Sequence, residues 1–320
     1  MSASAYPRGF DAVTIRGVPI TQAQPGKVFW VGNAAASILA GHKGASDGNK
    51  GTFEAPFSTI DYAIGQCTAG RNDVILVKPG HAETISAANG ILADISGVAI
   101  VGLGAGASRP TITLDTATTT TIGVTAANVT FKNCIFTANF ADIVSFFTLT
   151  TAKNFGLEDC YFKATATNMN CLYVVDTNAT TADADGLSIT NCKWIEPDTA
   201  TESMIKMDGT NADVRLENNY VVLGVGNNKP CLATVATGKV ITAGYVVGNR
   251  VYRLNTDTAT GAILIHSDGT NTGIVANNFA QHADTAAELL VTATSGWGCF
   301  NNYASGVAAA SGYPLPAADS

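Results

Sequence analysis

Between residues 129 and 301 the chain repeats one short arrangement of apolar and polar positions: apolar, any, apolar, any, Asn or Asp, any, any, bulky. It occurs as Val129-Phe131-Asn133-Phe136, Phe155-Leu157-Asp159-Phe162, Leu187-Ile189-Asn191-Trp194, Leu216-Asn218-Val221, Val247-Asn249-Tyr252, Val275-Asn277 and Trp297-Asn301. The Asn or Asp positions lie 26, 32, 27, 31, 28 and 24 residues apart. Self-similarity at such a period marks a solenoid, whose repeats each bury an apolar face against the next.

Before the Asn the apolar residues alternate with period two, as a half-buried strand requires. After it the inward positions restart one residue later, at Cys134 and Phe136 for example. A single residue with positive φ produces that change of parity by bending the strand, and Asn and Asp are the non-glycine residues that tolerate the region at least cost. The pattern therefore predicts strand, one-residue corner, strand, with Asn133, Asp159, Asn191, Asn218, Asn249, Asn277 and Asn301 in one vertical file. Coils stacked about 4.8 Å apart place like residues above like. Phe136, Phe162 and Trp194 should form one internal stack, and Cys134, Cys160 and Cys192 another, continued by Asn219, Arg250, Asn278 and Asn302.

These residues resemble the right-handed parallel β-helix, or pectate-lyase-like, superfamily with its internal Asn ladder. Upstream, the stretches from Asp47 to Thr52, Pro56 to Ile60 and Val74 to Gly80 resemble the opening of such proteins, where a short helix closes the end of the solenoid. Ser58 and Asp61 read as an N-cap with an acidic N3 partner. Ile60, Ala63, Ile64 and Cys67 form an amphipathic stripe that plugs the open core. The expected fold is all-β: a right-handed parallel β-helix with a short N-terminal capping helix and an extended N-terminal arm. The expected boundaries are 1–52 for the arm and lead-in, 53–70 for the capping helix, 71–305 for the β-helix and 306–320 for the C-terminal tail.

Charged residues make up 13% of the chain, about half the usual share. A surface so poor in charge points to partial cover by other subunits, against the plainer reading that a solenoid's outer faces are commonly neutral and Thr-rich. Acidic residues outnumber basic ones by 25 to 18, and an acidic body repels phosphate, which argues against a nucleic-acid partner. Seven cysteines, an odd number with three in one column, read as buried thiols rather than a disulfide framework. No apolar run approaches the roughly 20 residues of a membrane span, and the first residues lack the layout of a signal peptide. The expectation is no membrane partner and assembly in the cytoplasm.

Residues 1–30 do not repeat, and the Pro and Gly at positions 17, 19, 25 and 26 break any helix there. An extended arm can add a strand to a partner or pack under a neighbouring subunit. Its candidate contact residues are Tyr6, Arg8, Phe10, Val13, Ile15, Arg16, Ile20 and Trp30.

Catalysis on polysaccharide would need either a carboxylate cluster holding a cation beside a basic residue, or two facing carboxylates roughly 5–10 Å apart. The best groupings are Asp183 with Asp185, Glu158 with Asp159, and Asp208 with Asp268. Each has a plainer structural reading. Asp159 fills a corner, Asp183 and Asp185 sit in a small polar turn, and the two Asp-Gly pairs read as equivalent loops that could at most hold a cation. His42, His81, His266 and His282 show no metal-ligand spacing. Trp194 and Trp297 fall in repeat register, which favours core stacking over sugar stacking. No catalytic residue, metal or cofactor is assigned.

The chain resembles phage tailspikes in its body and phage capsid-decorating proteins in its use. That resemblance implies a non-enzymatic virion protein: a homotrimeric cement that binds and stabilises the phage head, its arm gripping the major capsid protein at the capsid surface, assembled in the host cytoplasm. The alternative it implies is a tailspike-type protein that cleaves or binds surface glycan.

Overall fold

A computed structural model describes residues 14–15, 18–19, 26–33, 42–224, 229–254, 262–266, 270–282, 289–291, 296–306 and 309–315. Three long sheets contain ten, ten and eight strands. The first runs from Val28–Val31 through Val74–Val77 to Trp297–Phe300, the second from Ala82–Ile85 to Asn302–Gly306, and the third from Ile91–Ala93 to Leu289–Val291. From Val74–Val77 to Leu289–Val291 each coil gives one strand to each sheet in turn, and neighbouring coils pair in parallel, as Phe131 does with Leu157 and Leu157 with Ile189. The molecule is therefore a parallel β-helix. An antiparallel strand, Ala309–Leu315, covers the last edge of the second sheet.

The change of parity occurs where the pattern put it. Asn133, Asp159, Asn191, Asn218, Asn277 and Asn301 have φ between 54° and 56°. They lie one above another, because the backbone N–H of each of the first five donates to the next coil, Asn133 to the Glu158 carbonyl at 3.0 Å and Asp159 to Thr190 at 3.1 Å. Asn249 is a correction. The fifth corner is Gly248, with φ of 73°, and a Cβ there would lie 2.3 Å from Asn218 Oδ1. Glycine fits because it alone combines positive φ with no side chain at that close approach.

Shifting the corner by one residue turns Asn249 inward and Arg250 outward. Asn249, and not Arg250, continues the internal column of Asn219, Asn278 and Asn302. Each Asn of the ladder is satisfied by its neighbours. Asn249 Oδ1 accepts from the backbone N–H and Nδ2 of Asn219, both at 3.0 Å, while Asn249 Nδ2 donates to the Leu216 carbonyl at 2.8 Å and to Asn278 Oδ1 at 2.9 Å. Asn278 repeats the arrangement with Asn302. At its other end the ladder meets the thiols, with Cys192 N–H donating to Asn219 Oδ1 at 2.9 Å. Cys134, Cys160 and Cys192 are fully buried free thiols, and burial pushes Cys134 and Cys192 well above the ordinary thiol range.

The apolar columns are as regular. Phe136 stacks on Phe162 with ring centroids 5.2 Å apart and planes 12° apart, and Phe162 pairs in register with Trp194. Trp297 departs from the expected core stack. It is only partly buried, in the column of Gly244 and Gly273, and its ring leans into the space that a Cβ at Gly244 would occupy.

The closing helix spans Ile60–Gly65, with Ile60, Ala63 and Ile64 buried. Its N-cap is Thr59, whose side chain accepts from Tyr62 N–H, not Ser58. Asp61 serves a different partner, the Leu92 N–H of the third sheet at 2.9 Å. The free N–H groups of the helix start go instead to carboxylates from afar: Asp47 takes those of Ser58 and Thr59, and Glu83 takes that of Ile60.

Candidate functional site

The arm residues Tyr6, Arg8, Phe10, Val13, Arg16 and Ile20 lie outside the described residues. Ile15 belongs to a two-residue strand, Thr14–Ile15, paired antiparallel with Val18–Pro19. Trp30 is not on the arm: Val28–Val31 is the first strand of the first sheet, in register with Val74–Val77. Its ring packs edge-on against Phe53 at 4.9 Å and against the small outer cluster of Val74, Leu76, Val101 and Leu103.

Among the described residues the acidic groupings are engaged in structural contacts. Glu158 and Asp159 share Lys132. Asp183 accepts from Asn178 Nδ2 at 2.8 Å, and Asp185 accepts the Ala212 N–H at 2.7 Å, pinning adjacent turns. Asp268 lies outside the described residues. Asn211 and Asn271, which follow the two Asp-Gly pairs, are buried and each accept a backbone N–H of the preceding coil, from Ala184 at 2.8 Å and Ile241 at 2.7 Å.

Sequence reasoning missed two clusters. One lies on the outer face of the third sheet, where Lys206 Nζ sits 3.5 Å from Asp176 and 2.7 Å from Asp208. Beside it, Tyr173 Oη donates to Glu202, which also pairs with Lys229 at 2.9 Å. Burial raises the Asp176 carboxyl, Lys206 opposing and Asp208 adding to the effect. Two neighbouring carboxyls could serve acid–base chemistry, but a lysine between them occupies both. The network ties adjacent coils together. Its members are separated by about one repeat, so register alone could have revealed them.

The second cluster is a file on the outer face of the second sheet. Tyr161, Lys193, Tyr220, Arg250, Phe279 and Tyr303 lie in one column, each in register with the next. Lys193 Nζ lies 5.1 Å from the Tyr161 ring and 5.6 Å from Tyr220. Lys163 and Arg109 also approach Tyr161, at 5.9 and 6.0 Å. Tyr252 bridges Tyr220 and Phe279, with centroids 5.6 and 5.7 Å apart. Tyr220 and Tyr303 are 38% and 49% exposed. From Ala82 to Gln281 no outward residue of this sheet's strands is acidic, and Arg109, Lys163, Lys193 and Arg250 make no ion pair among the described residues. Aromatic rings flanked by unpaired cations form a surface suited to docking.

A third feature is internal. Glu196 is fully buried at the end of a second-sheet strand, and neither carboxyl oxygen meets a partner in bonding geometry among the described residues. Burial pushes this carboxyl up to about 8, with the Asp198 charge adding to the rise and the Asp198 backbone amide opposing it weakly. It sits in the core as the neutral acid at neutral pH. Its folded-state value exceeds the unfolded one, so stability declines as pH rises from the ordinary carboxylate range to about 8.

Among the described residues no group of three or more His, Cys, Asp or Glu could hold a metal ion, and no helix is long and apolar enough to cross a membrane. No family model and no curated protein matches the chain. Among solved structures, a rhamnogalacturonan lyase is similar over 87% of this chain and 87% of its own, with 12% identity and a TM-score of 0.48. A Geobacillus virus E2 protein, ORF18, is similar over 77% of this chain with 12% identity and a TM-score of 0.39, and this chain spans 57% of its length.

Proposed function

We propose that the chain is a non-enzymatic structural protein of a phage virion, a homotrimeric cement that decorates the head surface through its N-terminal arm and stabilises the shell. One observation carries this reading: among the described residues the grouped surface carboxylates are each held by a lysine, a tyrosine or an amide N–H, and Glu196, which has no such partner, is buried in the core, whereas the second sheet presents an open file of rings and unpaired cations. Such a face docks and does not turn over. A ligand that binds only the assembled shell shifts the equilibrium away from disassembly by mass action.

Deleting residues 1–25 should leave the β-helix folded, with unchanged circular dichroism and melting, and abolish co-sedimentation with phage heads. Undiminished co-sedimentation would remove the arm, and with it the proposed attachment to the major capsid protein. The alternation of aromatic and cationic residues favours a second reading, a protein that binds an acidic surface glycan. Retention on glycan without any particle binding would select it, and release of oligosaccharide would move the chain among the cleaving tailspike-type proteins.

A further inference from the structure

The second sheet is basic on its outer face, and the third is acidic. Asp142, Asp176, Asp198, Glu202 and Asp208, on and beside the third sheet, outnumber Lys206 and Lys229. The two faces are adjacent sides of one solenoid, and the groups lie at matching heights. Lys163, on Tyr161–Ala164, shares a coil with Asp176, on Cys171–Thr177. Lys193, on Lys193–Glu196, shares the next coil with Glu202 and Asp208, which flank Ser203–Met207.

We infer that the aromatic and cationic face of the second sheet docks onto the acidic face of the third sheet of a second copy of this chain. This rests on the reading of that file as a docking face. A contact between two identical second-sheet faces is excluded by charge, since it would set Lys163, Lys193 and Arg250 against their own copies. A contact between different faces is heterologous, and it generates a ring where its rotation closes. Copies standing side by side with parallel axes keep each coil level with its counterpart, so Lys163 meets the level of Asp176 and Lys193 that of Glu202 and Asp208. The tyrosine rings lose their exposure in the same step, supplying the apolar centre that an interface of charges alone would lack.

The test is the mass of the full chain in solution by sedimentation velocity, at low salt and at about 1 M salt, where charge is screened within a few ångströms. The wild type should run as a closed oligomer at low salt and dissociate at high salt. Lys163→Glu with Lys193→Glu should weaken association more than about 100-fold with unchanged circular dichroism, as should Glu202→Lys with Asp208→Lys, whose loss of the Lys206 and Lys229 pairs lowers the melting temperature without unfolding the chain. The protein carrying all four substitutions should associate again, because the charges are exchanged and not lost, a rescue that misfolding cannot mimic. A wild-type monomer at low salt overturns the inference, as does an oligomer indifferent to both variant pairs. A monomer that instead binds an anionic polysaccharide through Lys193 overturns it too and assigns the face to glycan. Particle attachment is read separately, so failure of the ring removes the trimer and leaves attachment through the arm standing.

Discussion

Replacing Asn249 by alanine should destabilise the solenoid by on the order of 4 kcal/mol, more than most single changes in a chain this size. The substitution removes the acceptor of the Asn219 backbone N–H, which has no water to turn to, and the donor to the Leu216 carbonyl. Each orphaned buried group costs about 1–3 kcal/mol. The loss also spreads, since Asn219 supports Cys192 above it and Asn278 supports Asn249 from below. At the adjacent corner file, Asn191→Gly should change stability by no more than about 1 kcal/mol, because glycine adopts positive φ freely and the Asn191 side chain is exposed. Equilibrium urea unfolding of both variants measures the contrast. Equal costs would mean that the ladder contributes nothing beyond its corner.

Trp194→Ala should cost about 3–5 kcal/mol through the cavity it leaves in a closely packed column. Trp194 is the largest fully buried side chain, in register between Phe162 and Val221. Its indole N–H has no partner among the described residues. Trp194→Phe should therefore be nearly neutral, within about 1.5 kcal/mol, because phenylalanine continues the Phe136–Phe162 stack and removes that unpaired donor. Thermal melting of the two variants separates lost volume from lost polarity.

The architecture was legible because a solenoid writes the same local decision many times. Period-two alternation, then one residue able to take positive φ, then alternation in the opposite phase recurs from Asn133 onward. The fifth corner was misplaced because Val247-Asn249-Tyr252 fits the pattern as well as its neighbours do. The doublets would have resolved it: Asn218-Asn219, Asn277-Asn278 and Asn301-Asn302 each pair a corner with a ladder residue, and Gly248-Asn249 is the same doublet with glycine at the corner. The helix cap was misjudged for a different reason. Asp47 and Glu83 reach it from outside the local window, and local capping rules cannot register distant carboxylates.

The file of rings and cations was less visible because it depends on register across coils. Tyr161, Lys193, Tyr220, Arg250 and Phe279 look unrelated along the chain, spaced 32, 27, 30 and 29 residues apart. They become a file only once every corner is assigned. Moving the fifth corner from Asn249 to Gly248 is what brings Arg250 out of the core and into that file. The charge difference between the second and third sheets was hidden in the same way, since net charge averages over faces.

Register between the coils at the fifth corner is therefore the point on which fold and face both turn, and disulfide trapping tests it directly. Paired strands hold their Cα atoms about 4.8 Å apart, within the span of a disulfide. Tyr220→Cys with Arg250→Cys should cross-link under mild oxidation in high salt, as mass spectrometry would show, while Tyr220→Cys with Val251→Cys should not. Cross-linking of the second pair and not the first would place Asn249 at the bend and Arg250 inside, contradicting both the asparagine column and the surface built upon it.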